Sequence, residues 1–215
     1  MDEFWTAAEI AFRSRAADLF RNLPDPLATG PDWPAEEIWR ALDGLVREEP
    51  ESNLVSPASL SSRVSVLDEA SHRDPRLGRQ LLDWLERSGP LDPPRRAACE
   101  LGRLAGTAAH VLAAGTVAAR EKGFFSSILM DFRVAQESLA GLVAGAELAR
   151  LGACRLCRLL DKGETTTAGR EAAGLEARAL ALAADINSVG GSLLGSSWTQ
   201  ARLAAAAAPS SNERT

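Results

Sequence analysis

Two short spacings in this chain set side chains capable of chemistry one helical turn apart. Cys154-Arg155-Leu156-Cys157 pairs two thiols in a CxxC, the spacing of dithiol redox centres. Glu69-Ala70-Ser71-His72 pairs a carboxylate with an imidazole as Glu-x-x-His, the spacing of helical di-iron proteins. Each chemistry makes further demands. A reactive CxxC sits at a helix N-terminus, where the dipole lowers the thiol pKa. This one falls late in a helical stretch with Cys157 on the apolar stripe, which reads as packing. Two cysteines also fall short of the four ligands of a structural zinc site. A di-iron centre needs a second Glu-x-x-His and two further inward carboxylates, yet the other histidine, His110, follows Gly106-Thr107-Ala108-Ala109. No metal site is predicted.

The elements that would carry these side chains read as helices. Apolar residues recur at three- and four-residue spacing, and alanine and leucine dominate. A first helix is predicted from Asp2 to Asn22, stopped by Pro24 and Pro26. Another starts at Pro34, with Glu36 and Glu37 in its first turn where they favour the dipole. Ser56-Pro57 and Asp74-Pro75 repeat a polar cap followed by proline, opening helices over Pro57–Ser71 and Pro75–Ser88. Asp92-Pro93 opens a long helix reaching Lys122, and Gly123–Ser127 breaks it. Leu139, Leu142, Val143, Ala146, Ala149, Ala153, Cys157 and Leu160 then form one stripe ending at Asp161-Lys162-Gly163. A further helix spans Thr167–Ser188 and is predicted to break at Gly190-Gly191. No alternating segment is long enough for a strand. Trp33 and Trp39 are expected to anchor the front helices.

Composition bounds the function. The 215 residues are 46% hydrophobic and carry a net charge of -5 with arginines scattered among carboxylates, which argues against a nucleic-acid surface. No run of about 18 apolar residues predicts a membrane span, and Met1-Asp2-Glu3-Phe4-Trp5 lacks the apolar core of a secretory signal. Cys99, Cys154 and Cys157 are too few for a disulfide framework, so a cytoplasmic location is expected.

Several segments, in order, resemble the acyl-CoA dehydrogenase family. Arg120 to Gln136 is similar to its Arg-x-x-Phe-Gly turn and the following Asp/Glu/His-Phe-Gln helix start. Glu137 to Glu164 resembles its long second bundle helix with a Leu-Leu-Asp-x-Gly ending, and Ala183–Gly191 its Ala-Val-Gln-Ile-x-Gly-Gly. Gly102, Gly106 and Leu112 resemble the small-residue pattern of the first bundle helix. In front, Gly30–Leu42 looks like Gly-x-Phe-Pro-x-Glu-x-Trp-x-x-Leu, and Leu67–Leu77 like Leu-Glu-Glu-Leu-Ala-Arg-Ala-Asp-Pro-Ser-Leu. The resemblance implies an all-α fold: an N-terminal helical region over 1–90 packed on a C-terminal antiparallel four-helix bundle over 91–208, with a disordered tail over 209–215.

It also implies a site. Lys122, Phe125 and Gln136 match the turn that contacts the FAD pyrophosphate, and Gly190 and Gly191 the loop against the partner subunit's flavin. Glu100 lies within about a turn of the position from which some members take the catalytic base, although an exposed glutamate beside Arg96 or Arg103 is the plainer reading. Arg95 and Arg96 stand where a CoA phosphate or a solvated helix start would use them. The departures are as informative. Ser88-Gly89-Pro90-Leu91-Asp92-Pro93-Pro94 stands where the family has a whole β domain that cradles FAD, and no late glutamate follows Asp185 except Glu213. Lys122 replaces the bidentate Arg, Arg133 the first Gln and Ser126 a Gly. Two functions follow. One is a non-catalytic scaffold or subunit, with no cofactor bound, that self-associates or pairs with a full-length dehydrogenase. The other is an FAD-dependent acyl-CoA oxidoreductase completed across a subunit interface.

Overall fold

Asp74 and Asp92 begin two helices by the same local chemistry. The Asp74 carboxylate accepts from the Arg76 N–H at 2.8 Å and the Asp92 carboxylate from the Arg95 N–H at 2.9 Å. A proline follows each in the first turn, where its missing N–H is no loss. The computed structural model describes residues 7–22, 38, 40–41, 60–89, 91–124, 127–196 and 198–199. Its long elements are α1 (Ala7–Arg21), α2 (Leu60–Arg73), α3 (Pro75–Ser88), α4 (Pro93–Glu121), α5 (Arg133–Asp161) and α6 (Thr165–Leu194). Between α4 and α5 lie a two-residue antiparallel ladder, β1 (Gly123–Phe124) with β2 (Ser127–Ile128), and a 3-10 turn over Leu129–Asp131. The fold is all-α in character. Among the described residues no helix is long and apolar enough to cross a membrane.

The end of α5 is closed by a left-handed glycine. Gly163 has φ +74, its N–H donates to the Leu160 carbonyl at 3.0 Å and the Glu164 N–H to Leu159 at 2.9 Å. Those bonds satisfy two carbonyls that the helix leaves open. The end of α6 corrects the sequence reading: the helix runs through Gly190-Gly191 to Leu194 and stops at Gly195, φ +64. A Cβ at Gly190 would lie 2.7 Å from the Trp198 ring. Packing of that indole offsets the roughly 1 kcal/mol that each glycine costs relative to alanine in a helix.

Three long helices alternate in direction. Gly115 of α4 faces Leu139 of α5 and Gly152 of α5 faces Leu101 of α4, so these two run antiparallel. Gly145 and Gly152 face Leu182 and Leu175 of α6, which returns parallel to α4. The stripe read from α5 is buried with two exceptions: Leu160 in the last turn is half-buried, and Val143 is 47% exposed, because it sits at the edge of a face centred on Leu142 and Ala146. Residues 200–208, where a fourth bundle helix is expected, lie outside the described residues, as do the tail, Phe125, Trp33 and Trp39.

Helix α2 is packed closely on α4, and the two are parallel in strict register. Gly102 faces Val64, Gly106 faces Asp68, and His110 meets His72. A Cβ at Gly102 would come within 2.8 Å of the Val64 carbonyl oxygen, and one at Gly106 would overlap that of Asp68. Glycine at both crossings lets the backbones touch. Phe12 and Phe20 of α1, Leu67 of α2, Leu77 and Leu81 of α3, Val111 of α4 and Leu142 and Leu156 of α5 share one core.

An ion network ties this core together. Asp68, 4% exposed, accepts from Arg150 of α5 through Nε at 2.9 Å and Nη2 at 3.0 Å. It also accepts from Arg13 of α1 at 3.1 Å, while Arg13 Nε reaches Glu69 at 2.6 Å. Burial alone would lower the Arg150 pKa, but the hydrogen bonds and charge of Asp68, with Glu147, outweigh it and raise it.

Candidate functional site

Glu100 sits on the second turn of α4, where its side chain is 33% exposed. It lines a groove of about 410 Å3 between α4 and α6 together with Ala97, Leu101, Ala172 and Leu175. The carboxylate is already engaged: Arg103 Nε donates to one oxygen at 2.8 Å and Nη2 to the other at 2.6 Å. A general base needs a carboxylate oxygen turned to the substrate proton, and here both oxygens face a guanidinium. The neighbouring arginines are held too. Arg95 pairs with the capping Asp92, and Arg96 with Glu86 of α3 at 2.9 Å. The latter pair bridges the short junction between α3 and α4.

The residues matched to a cofactor turn gather at the opposite end of the bundle. Lys122 follows α4 and donates its ammonium to the Leu193 carbonyl of α6. That carbonyl is one of the last four of its helix, where a cation is favoured by the dipole and satisfies an open acceptor. Gln136 donates Nε2 to the Met130 carbonyl at 3.0 Å and so ties the first turn of α5 to the 3-10 turn. Gly190 is covered by Trp198, and Gly191 is exposed with open space around it. Phe125 lies outside the described residues. With a rise of ~1.5 Å per residue, α4 separates Glu100 from Lys122 by about 33 Å. The helix therefore brings together Lys122, Gln136 and the glycine pair, but not Glu100.

The thiols are packing groups in their geometry. Cys99, Cys154 and Cys157 are buried and not joined in disulfides. Burial pushes the Cys99 thiol up to about 12; Arg63 pulls it down while Glu100 and Glu86 push it further up. A thiol held protonated is neither nucleophile nor metal ligand. Among the described residues no group of three or more His, Cys, Asp or Glu side chains could hold a metal ion. Glu69 is committed to Arg13, although His72 and His110, far apart in sequence, line one cleft of about 400 Å3.

Sequence reasoning missed Asp68 as the hub of the network and α2 as the helix that is buried almost all round. A signal existed: Ser61, Ser62, Ser65 and Ser71 are small hydroxyls that a helix can bury, and all four are buried. No protein-family model matches the chain, and no curated protein or solved structure matches it.

Proposed function

We propose that this chain is a non-catalytic helical scaffold or subunit, a degenerate relative of acyl-CoA dehydrogenases that associates with itself or with a full-length dehydrogenase-type subunit. The observation that carries the reading is the division of the candidate site. The acid at Glu100 is bound to Arg103, about 33 Å along α4 from Lys122, which serves as a cap on α6. Neither group is left to act on a common substrate.

Association is supported by the outward faces of α5 and α6. Leu148 and Leu151 on α5 and Leu180 on α6 are exposed, Leu180 by 67%. Alanines flank Leu180 on the same outer side at 173, 177 and 184. A helix apolar on its inner and outer sides is one that packs on both.

The test joins a visible spectrum to a native mass. The purified protein is expected to be colourless, to show no thermal shift with FAD or an acyl-CoA, and to run at a multiple of its 22.8 kDa chain mass. Leu180→Glu is expected to lower that multiple. Flavin absorbance, or FAD that raises the melting temperature, would instead establish an oxidoreductase completed across an interface.

A further inference from the structure

We propose that His72 and His110 form a two-imidazole site for a divalent transition-metal ion of the Zn2+ type, in the cleft between α1, α2 and α4. The chain has two histidines, and the α2–α4 register brings both into this one cleft. His110 Nδ1 lies 3.0 Å from the His72 carbonyl oxygen. A carbonyl can only accept, so Nδ1 carries a proton, and Nε2 is the ring nitrogen through which a metal ion would have to bind. That arrangement, one ring nitrogen donating to a backbone carbonyl and the other free, is the one that fixes metal-binding histidines.

The surroundings set the terms. His72 projects from the last turn of α2, and α1 ends beside it at Arg21, so the partial negative ends of two helices converge on the cleft. Arg21 is paired with Asp18 at 2.7 Å, and Glu69 with Arg13 at 2.6 Å, which cancels two of the formal cations near the site. Among the described residues lining the cleft, Arg73 is exposed and remains as an opposing charge on the rim, with solvent beside it. Ala17, Ala113 and Ala114 leave space instead of ligands, so the protein supplies two nitrogens and water completes the shell. Such an ion would link the end of α2 to the middle of α4. It would reinforce the helix pair that the glycines bring together and would not build a catalytic centre.

The two histidines make the test specific. Zn2+ titrated into the full chain labelled at histidine is expected to move both imidazole signals in one saturable step that EDTA reverses. His72→Ala and His110→Ala should each weaken the step at least about tenfold. His110→Asn keeps a donor for the His72 carbonyl but loses Nε2, and should weaken binding as much as His110→Ala, which separates ligation from helix capping. Movement of a single imidazole, unchanged affinity in either alanine variant, or full affinity in His110→Asn would overturn the site. Reading native imidazole signals keeps binding to unfolded cysteines out of the measurement.

Discussion

Along the first half of α4, the side facing α2 and the side facing α6 use small residues to opposite effect. Toward α2, Gly102 and Gly106 sit where the partner presents its carbonyls, and the backbones meet with no room for a Cβ. Toward α6, Ala97 lies opposite Ala172 and Ala179 across a groove of about 410 Å3. Leu101 and Leu175, both resting on Gly152 of α5, hold the two helices apart there. A small side chain closes a gap only where nothing larger props the helices open.

Five substitutions would sharpen or break that contrast. Gly106→Val should have the largest effect: the clash is with backbone, which no rotamer relieves, so loss of more than about 4 kcal/mol or failure to fold is expected in urea denaturation. Gly102→Ala, at the looser crossing, should cost about 1–3 kcal/mol. If both are tolerated, the glycine seam is not what sets the spacing. Asp68→Ala removes one of two carboxylate partners from both Arg150 and Arg13 on the same seam and is expected to cost about 1–3 kcal/mol, because charge-assisted hydrogen bonds are lost while Glu147 and Glu69 still pair the two guanidiniums.

A further test lies in pH. Cys99 is buried on α4, within reach of the charges of Arg63 on α2 and Glu86 on α3, with a thiol pushed up from 9.0 to about 12 in the fold. Below about pH 9 both folded and unfolded thiols are protonated and the group has no effect. Above it the unfolded chain releases the proton first, so stability should fall by about 1.4 kcal/mol per pH unit until the folded thiol titrates. Cys99→Ala should lack that component, and midpoints measured from pH 8 to 11 would show the two slopes diverge. Parallel slopes would mean the thiol is not desolvated. The smallest effect is expected from Ala97→Leu, which should fill the groove and stabilise by about 0.5–1 kcal/mol. Destabilisation there would mean that the groove is not spare volume.

What could be read from the residues was local. The starts of α3 and α4 follow from Asp-Pro pairs whose carboxylates reach N–H groups two and three residues on, and the end of α5 follows from a glycine free to turn left-handed. The register of α2 on α4 could not be read, since it depends on which helix lies against Gly102 and Gly106. The course of α6 through Gly190-Gly191 was hidden because it depends on Trp198, eight residues further on, folding back over Gly190. Val143 fell off its stripe because a periodic pattern gives the centre of a face more securely than its edge. For the site, motif matching found the helix ends at Lys122 and Gln136. It could not find that each is spent on a backbone carbonyl.

Gly89 has one further consequence. Its backbone is extended, a Cβ there would touch nothing, and the helices on either side are pinned to each other by Arg96 and Glu86. Chain could leave and re-enter the molecule at that point while Leu77, Leu81 and Leu85, buried in the shared core, keep α3 in place. The junction is thus a port: a guest domain spliced in there would be carried on the outside of the molecule, leaving the α2–α4 register undisturbed.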